Sequence, residues 1–378
     1  MKFIHTSDWH IGRQFHNVSL LEDQRHVLNQ LIEHIQREAV EAVVIAGDIY
    51  DRSVPPAAAV SLLDDVLHQI CNQLHIPVIL IPGNHDSAER LRFGSRQFSQ
   101  AGLHIIGDLK QIETPIRIHG KTLAVDFYGI PYTDPETVRN QWNVSLTNHE
   151  DAHRYLLERI QEVQSSDARN VLISHCFIDG CDASDSERPL SIGGADRISY
   201  NIFSGFDYVA LGHLHGPQHK GESHIRYSGS ILKYSFSEQK QRKGATLVEM
   251  TANGMGSATH LPLTPLRDMR ILEGELKTLL EQGKTDPNVE DYLLVRLTDP
   301  HALLDPMGQL REVYPNVLHL EKPGMLGRID EPVQRARLQR NELDMFRDFF
   351  TQVQGQDLSN EQEQAVQTVI KAIHHIED

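Results

Sequence analysis

Short apolar runs alternate with amphipathic segments along the first part of the chain. Residues 42–46 read AVVIA, and an uninterrupted apolar run of this length is typical of a strand buried on both faces. Leu21–Arg37 instead repeats its apolar residues at helical spacing, and Pro55-Pro56 opens a second helix that extends to about Leu74. This alternation predicts an α/β fold. Further strands are predicted at Lys2–Thr6, Pro77–Ile81, Ala124–Gly129, Val171–Ser174 and Tyr208–Leu211.

Side chains that can bind metal ions follow five of these strands directly. In open α/β sheets the carboxyl ends of the strands form the ligand-binding edge, so we expect these side chains to converge. Their oxygen and imidazole donors predict a dinuclear site, with two ions about 3.5–4 Å apart and Asp48 as the natural bridge. The side chains are Asp8, His10, Asp48, Asn84, His85, His175, His213 and His215.

The specificity of this prediction lies in the order of the motifs rather than in any one of them. A single DWH or GNHD is weak, because a lone Asp or His is more often a capping or surface residue. Here DxH, GDxxD, GNHD, an isolated His after a strand and GHxH occur in sequence. Gly47, Gly83 and Gly212 each precede a candidate ligand, and we interpret them as positions where a phosphate approaches the backbone closely.

The chain changes character after about residue 264. Strands are predicted at Arg270–Glu275, Tyr292–Thr298 and Val317–Leu320, with helices at Leu276–Glu281 and Ala302–Tyr314. We therefore divide the chain into a first domain (1–264), a small α/β domain (265–323), a polar linker (324–340) and a helical tail (341–378). The tail has two apolar stripes, and Ser359 with Gln362 predicts a capping box at the start of its second helix. The stripes are Leu343, Phe346, Phe349, Phe350 and Val353 in the first helix, and Val366, Val369, Ile370, Ile373 and Ile376 in the second.

Composition narrows the class of protein. A chain of 378 residues is too long for one ordinary hydrophobic core, so two or more domains are expected. No apolar stretch approaches the roughly 20 residues that a membrane span needs. Three cysteines without a CxxC pair, and an N-terminus without an apolar signal segment, favour a cytoplasmic protein with reduced thiols. The net charge of −16 argues against a protein that wraps DNA through its overall electrostatic field. Five arginines nevertheless follow the motifs: Arg13, Arg52, Arg90, Arg92 and Arg96. We expect them either to pair with nearby carboxylates or to face a DNA backbone.

The motifs KFIHTSDWHIGR, AGDIYD, IPGNHDS, ALGHLH and RYSGS resemble the calcineurin-like metallophosphoesterase superfamily. More narrowly, the whole chain resembles the SbcD family, which belongs to the double-strand-break repair nuclease branch of that superfamily. The resemblance implies a metallophosphoesterase β-sandwich flanked by helices, a small α/β capping domain and a C-terminal helical tail. It also implies two divalent ions, with Mn²⁺ favoured, although these ligand types would also hold zinc or iron.

Carried over residue by residue, the resemblance also implies individual roles. Asp8, His10 and His215 would hold the first ion, and Asn84, His175 and His213 the second, with Asp48 shared between them. His85 would assist the leaving oxygen of the scissile phosphate, and Asp51 would supply the carboxylate that orients His85.

The function implied is a DNA exonuclease and endonuclease that works with an SbcC-type coiled-coil ATPase in DNA repair, replication and recombination. A homodimer and docking of the helical tail to the ATPase are implied as well. The alternative is a phosphatase or phosphodiesterase for nucleotides or phosphoproteins, which the metal ligands alone do not separate from a nuclease. A binding subunit with an inert site is disfavoured by the intact ligand set and His85.

Overall fold

The structure, a computed structural model, describes residues 1–188, 190, 196–322, 343, 346, 347, 350, 351 and 354–374. The chain forms two compact units, Met1–Leu266 and Arg267–Asp378. Among the described residues, none of the helices has the length and apolar character that crossing a membrane requires.

Sixteen strands and six α-helices are described in the first unit. The strands are β1 (Lys2–Thr6), β2 (Gln14–Phe15), β3 (Val18–Ser19), β4 (Ala42–Ala46), β5 (Val78–Ile81), β6 (Leu103–Ile105), β7 (Ile116–His119), β8 (Ala124–Ile130), β9 (Arg169–His175), β10 (Phe177–Ile178), β11 (Arg197–Ile198), β12 (Tyr208–Gly212), β13 (Gln218–His219), β14 (Ile225–Tyr227), β15 (Gly244–Thr251) and β16 (Gly254–Pro262). The helices are α1 (Leu21–Arg37), α2 (Ala57–Leu67), α3 (Ala88–Leu91), α4 (Ser95–Phe98), α5 (Pro135–Trp142) and α6 (His149–Val163).

Two mixed six-stranded sheets form a β-sandwich. Their strand orders are β16-β15-β1-β4-β5-β6 and β13-β14-β12-β9-β8-β7. In the first sheet β1, β4, β5 and β6 run parallel, and in the second β14, β12, β9 and β8 do. The carboxyl ends of β1, β4 and β5 therefore share one edge of their sheet, and those of β9 and β12 share one edge of the other.

A continuous apolar core joins the two sheets. Phe3 on β1 packs edge-on against Phe127 and Tyr208, with ring centroids 5.4 and 5.6 Å apart. Phe3, Phe127 and Tyr208 are fully buried, so their packing fixes one sheet against the other. A second core lies on the outer face of the second sheet, where α6 buries Leu156 and Ile160. The α/β sandwich flanked by helices that the sequence resemblance implied is confirmed.

Most predicted elements of the first unit match the structure within a residue or two. β1, α1 and β4 have the predicted bounds. The helix predicted to run to about Leu74 is α-helical only through Leu67, and a π-helical segment, His68–Gln73, continues it.

The second unit contains a three-stranded parallel sheet whose strands lie side by side in chain order. Leu276, Leu279 and Leu293 bury an apolar core between its helices and the sheet. The helix predicted at Ala302–Tyr314 is shorter, because Asp305 caps it and Pro306 occupies its first turn. The elements are β17 (Met269–Gly274), α7 (Leu276–Gly283), β18 (Tyr292–Leu297), α8 (Pro306–Arg311) and β19 (Val317–Glu321).

The described part of the tail includes the helix α9 (Asn360–His374). Its predicted capping box is confirmed: the Gln362 backbone N–H donates to Ser359 Oγ, and the Ser359 N–H donates to Gln362 Oε1. The predicted linker 324–340 lies outside the described residues. So do Phe349 and Val353 of the first predicted tail helix, and Ile376 of the second.

Candidate metal centre

The eight side chains singled out in the sequence lie at the carboxyl ends of five parallel strands. β1, β4 and β5 deliver Asp8, His10, Asp48, Asn84 and His85 from the first sheet. β9 and β12 deliver His175, His213 and His215 from the second sheet. All except the half-buried Asn84 are buried. The site therefore forms only when the two sheets pack together.

Asp8, His10 and His215 form one cluster of donors. Each contributes a ligand atom, and these atoms lie within 4.8 Å of one another. The Nε2 atoms of His10 and His215 are 3.1 Å apart. Two imidazole nitrogens and a carboxylate oxygen that lie this close together form a donor set that divalent ions bind. This cluster therefore fits a divalent ion.

His175 forms a second cluster beside the first. Its Nε2 lies 2.9 Å from Asn84 Oδ1, and its ring centroid is 5.4 Å from that of His213. Asp48 lies between the clusters, with Oδ2 3.6 Å from His10 Nε2 and 3.5 Å from His175 Nε2. One carboxylate oxygen thus faces both clusters, which is the placement that a bridging ligand requires.

Four of these residues adopt left-handed backbone conformations. The φ angles are 52° for Asp8, 46° for His10, 49° for Asp48 and 105° for His213. Each such non-glycine conformation costs on the order of 1–3 kcal/mol, and such conformations concentrate at functional sites.

Gly47 and Gly83 make room for ligand side chains. A Cβ on Gly47, where φ is +90°, would lie 2.3 Å from His175 Nδ1, and one on Gly83 would lie 2.2 Å from Asp48 Oδ1. The sequence predicts space for a phosphate beside these glycines. The space beside them is filled by His175 and Asp48 instead.

Burial and the neighbouring charges set the pKa values of the cluster. Burial raises the pKa of Asp48, but the surrounding imidazoles, His175 first, outweigh it and hold that pKa well below its usual range. Burial lowers the pKa values of His10 and His213 well below the ordinary value, so both rings are neutral at pH 7. Burial also raises the pKa of Asp8, to about 6. Burial lowers the pKa of His175, but the Asp48 carboxylate outweighs this effect and raises that pKa to about 9. Divalent ions bind ionised carboxylates and neutral imidazoles, so an ion bound here displaces the His175 proton.

His85 is held by the backbone of the GDxxD motif. Its Nδ1 donates to the main-chain carbonyl of Asp51 at 2.8 Å. The Asp51 carboxylate accepts from Arg13 Nη1 at 3.0 Å and lies 3.8 Å from His10 Nδ1. Asp51 thus reaches His85 through its main chain, whereas the family pattern assigned this contact to its side chain. A carbonyl oxygen serves this contact equally well, so His85 does not depend on the Asp51 carboxylate for it.

Asp86, the last residue of GNHD, joins two strand ends. Its carboxylate accepts backbone N–H groups of Ile49, Tyr50 and Gly83 at 2.9–3.0 Å. It thereby fixes the loop after β4 to the loop after β5. Sequence reasoning assigned this residue no role of its own.

The five arginines near the motifs divide into two groups. Arg13 pairs with Asp51, and Arg92 pairs with Asp108 at 2.6 Å. Arg52, Arg90 and Arg96 have exposed side chains.

Behind His215 lies a buried polar cluster that no recognised motif contains. Ser186 Oγ is 2.7 Å from His215 Nδ1, and Ser186 also donates to Glu238. Glu238 pairs with Lys243 at 2.5 Å, and both are buried. The only sequence signal was a glutamate and a lysine in the run SFSEQKQRKG, which follows RYSGS.

Profiles of two known families match the chain. The calcineurin-like phosphoesterase family matches residues 1–217. The SbcD C-terminal family, described as the type 5 capsule protein repressor C-terminal domain, matches residues 265–354.

Curated relatives and solved structures were also found. A protein of Staphylococcus epidermidis, named as the SbcD subunit of the SbcCD nuclease, is 38% identical over 321 residues, which cover 85% of each chain. A protein of the same name from Staphylococcus saprophyticus is 34% identical over 377 residues, covering 99% of this chain and 98% of the relative. A crystal structure from Thermus thermophilus covers 68% of this chain and 98% of its own, with 14% identity and a TM-score of 0.41. A dimetal phosphatase from Danio rerio covers 70% and 99%, with 13% identity and a TM-score of 0.41. The family match and the identities over most of both chains place this chain in the calcineurin-like phosphoesterase family and, within it, among the SbcD subunits of SbcCD nucleases.

Proposed function

We propose that this chain is a metal-dependent DNA nuclease that works with an SbcC-type ATPase. It would act as an exonuclease on duplex ends and as an endonuclease on hairpins or single strands. The observation that carries the proposal is the single Asp48 oxygen facing both donor clusters, at 3.6 and 3.5 Å from their histidines.

The ligand set is proposed to hold two divalent ions. Two carboxylates offset only two of the four positive charges of such ions, so net positive charge remains to attract a phosphodiester. When bound, the ions supply a nucleophile from water near neutral pH and stabilise charge on the phosphate oxygens. The mixed oxygen and nitrogen donors suit Mn²⁺, which we propose as the native ion. Asp8, His10 and His215 are assigned to the first ion, Asn84, His175 and His213 to the second, and Asp48 to both.

His85 is proposed to act on the leaving group. Its Nδ1 is committed to the Asp51 carbonyl, so Nε2 is the atom available to the substrate. Burial lowers the pKa of His85, so Nε2 carries a lone pair in the free site and must take up a proton from water before it passes one to the leaving oxygen. Its ring lies edge-on to His10, with centroids 4.6 Å apart, which places it beside the first cluster.

DNA is preferred over a small phosphate ester because of the regions outside the metal centre. Hydrolysis of a nucleotide does not require a second α/β unit and a helical tail, and the curated relatives are named as nucleases. We propose that residues 265–323 cap the nuclease domain (1–264), and that the tail (341–378), after the linker 324–340, binds the ATPase. A role on DNA also fits the cytoplasmic location expected from the sequence.

The isolated chain is expected to bind DNA weakly. Its net charge of −16 repels a polyanion, and the exposed Arg52, Arg90 and Arg96 provide only local positive charge. The ATPase would then supply most of the affinity. Tight, sequence-independent binding of duplex DNA by the chain alone would contradict this expectation.

Tail docking and a homodimer complete the proposed assembly. Val369 on α9 is 58% exposed, and in the first unit Phe93 and Phe98 are 82% and 43% exposed. We propose that these exposed apolar side chains contribute to the contact surfaces, since apolar patches on a surface mark such sites. Removing residues after Arg340 should abolish binding of the ATPase and preserve hydrolysis of a small phosphodiester. Light scattering of the intact chain tests the dimer.

The decisive experiment is a nuclease assay on hairpin and blunt-ended duplex DNA with Mn²⁺, with and without the partner ATPase. We expect cleavage that the ATPase enhances, and its loss in His85→Ala. Hydrolysis confined to nucleotides or phosphoproteins would support the alternative phosphatase function instead.

A further inference from the structure

A buried ion pair lies directly behind one of the histidines assigned to the first ion. Glu238 Oε2 is 2.5 Å from Lys243 Nζ, and the exposed fractions of the two side chains are 0% and 4%. Burying two charges is costly, and replacing such a pair with apolar residues is often neutral or stabilising. A contribution to folding alone therefore does not account for this pair.

The pair reaches His215 through a serine. Ser186 Oγ lies 2.7 Å from His215 Nδ1, and its hydroxyl donates to Glu238. Glu238 Oε1 itself lies 3.3 Å from the same ring nitrogen. Because the serine proton is committed to the carboxylate, Nδ1 of His215 must be the donor. The ring proton is thereby fixed on Nδ1, and the lone pair of Nε2 faces His10.

Lys243 holds the other side of the same residue. Its Nζ donates to the main-chain carbonyl of His215 at 2.8 Å, and also to Ser230 Oγ at 2.8 Å. The lysine thus neutralises the buried carboxylate and fixes the backbone from which the ring projects.

Two other histidines of the clusters are supported differently. His175 Nδ1 donates to a neutral group, the main-chain carbonyl of Ala46, at 2.9 Å. His10 Nδ1 is buried without a hydrogen bond, and its nearest carboxylate, that of Asp51, is 3.8 Å away. Among these three rings, the close support by a carboxylate is specific to His215.

We propose that Ser186, Glu238 and Lys243 are positioning residues that fix the tautomer and orientation of His215 and strengthen its binding of the first ion. The proposal rests on the proposed two-metal function. Carboxylates behind metal-binding histidines raise the basicity of the ring, and their loss typically costs about 10- to 100-fold in metal affinity.

The test is Mn²⁺ titration of the full chain by calorimetry, with the melting temperature measured in parallel. The wild-type chain is expected to bind two Mn²⁺ ions. Ser186→Ala should weaken one of the two by about 10- to 100-fold and leave the other unchanged. Ser235→Ala is the matched control, because Ser235 Oγ also donates to Glu238, at 3.2 Å, and is hydrogen-bonded to neither Ser186 nor His215. Equal affinities in the Ser186→Ala variant and the wild type would overturn the proposal.

A double variant separates positioning from simple charge balance. Glu238→Gln alone leaves Lys243 buried without its counter-charge and should lower the melting temperature. Glu238→Gln combined with Lys243→Gln removes both charges. We expect this double variant to regain stability while one Mn²⁺ still binds about 10- to 100-fold more weakly. Wild-type Mn²⁺ affinity in the double variant would mean that Glu238 serves only to balance Lys243, and would overturn the proposal. A wild-type chain that binds no Mn²⁺ would instead refute the proposed metal centre itself.

Discussion

The two units of the chain place their polar residues in opposite ways. In the first unit, carboxylates and imidazoles converge in the interior, where Asp8, His10 and His175 are at most 1% exposed. Within 267–322 of the second unit, Asp291 is the only polar or charged side chain that is buried, and its exposed fraction is 8%. Asp291 pairs with Arg270 at 2.6 Å, and other ion pairs of this unit, such as Arg296 with Glu321, are more exposed.

The backbone shows the same contrast. In the first unit, left-handed non-glycine residues include Asp8, His10, Asp48 and His213, all of which belong to the candidate site. Among the described residues of the second unit, Asp305 alone has this conformation, and it caps a helix. The first unit therefore tolerates buried charge and strain for the sake of a site, whereas the second is organised by apolar packing.

The largest expected effect comes from removing the shared ligand. Asp48→Asn should abolish tight binding of both ions and lower hydrolysis of a small phosphodiester by on the order of 10³-fold or more, because its carboxylate faces both clusters. Mn²⁺ titration and initial rates measure this. Asp291→Asn, in the second unit, is the control and should keep both properties. Retention of two tightly bound ions in Asp48→Asn would contradict the bridge.

Removing His85 should separate chemistry from metal binding. His85→Ala is expected to lower hydrolysis by about 10²- to 10⁴-fold, the usual contribution of a positioned acid. Its Mn²⁺ affinities should stay at the wild-type values. A large loss of Mn²⁺ affinity would make His85 a ligand and change the assignment.

His5, a buried neutral histidine of the sandwich, should make the free energy of unfolding depend on pH. Burial lowers the pKa of His5 from 6.5 to about 3, so the unfolded chain binds a proton first as the pH falls. The contribution of neutral His5 to the free energy of unfolding is complete above pH 6.5 and is lost between pH 6.5 and 3. This loss amounts to at most about 5 kcal/mol. Denaturant unfolding of the wild type and His5→Gln at several pH values measures it, and the variant should have the shallower pH dependence. Equal slopes would mean that His5 does not resist protonation.

A core truncation in the second unit should affect stability alone. Leu293→Ala removes a fully buried side chain and should cost about 2–5 kcal/mol in the free energy of unfolding. Hydrolysis of a small phosphodiester should be unchanged, because the candidate site is built from residues of the first unit. Differential scanning calorimetry and initial rates test both statements, and a loss of hydrolysis in the folded variant would refute the contrast.

The smallest effect is expected at the surface of the same unit. Arg296 and Glu321 pair at 2.8 Å, with about two fifths and one third of their side chains exposed. Such pairs contribute less than about 1 kcal/mol, so Glu321→Gln should hardly change the unfolding midpoint. A shift as large as that of Leu293→Ala would mean that electrostatics, rather than apolar packing, stabilises the second unit.

The predictability of strands depended on whether the sequence carries an uninterrupted apolar run. In β4 all side chains are buried, the apolar run is continuous, and the strand was predicted to the residue. β16 exposes most of its side chains, carries little apolar signal and was not predicted. α8 is shorter than predicted because a local signal, Pro306 in the first turn, fixes its start, although the helical spacing of apolar residues suggested a longer helix.

The sequence by itself determined which residues were candidates for the metal centre, because donor type and position after a strand are local properties of the chain. Only the tertiary structure decided which donors come together, since His10 and His215 are 205 residues apart and arrive from different sheets. It also decided that a backbone carbonyl, rather than the Asp51 carboxylate, holds His85, and that Glu238 lies behind His215. Contacts of this kind depend on how two sheets pack, and no local pattern records them.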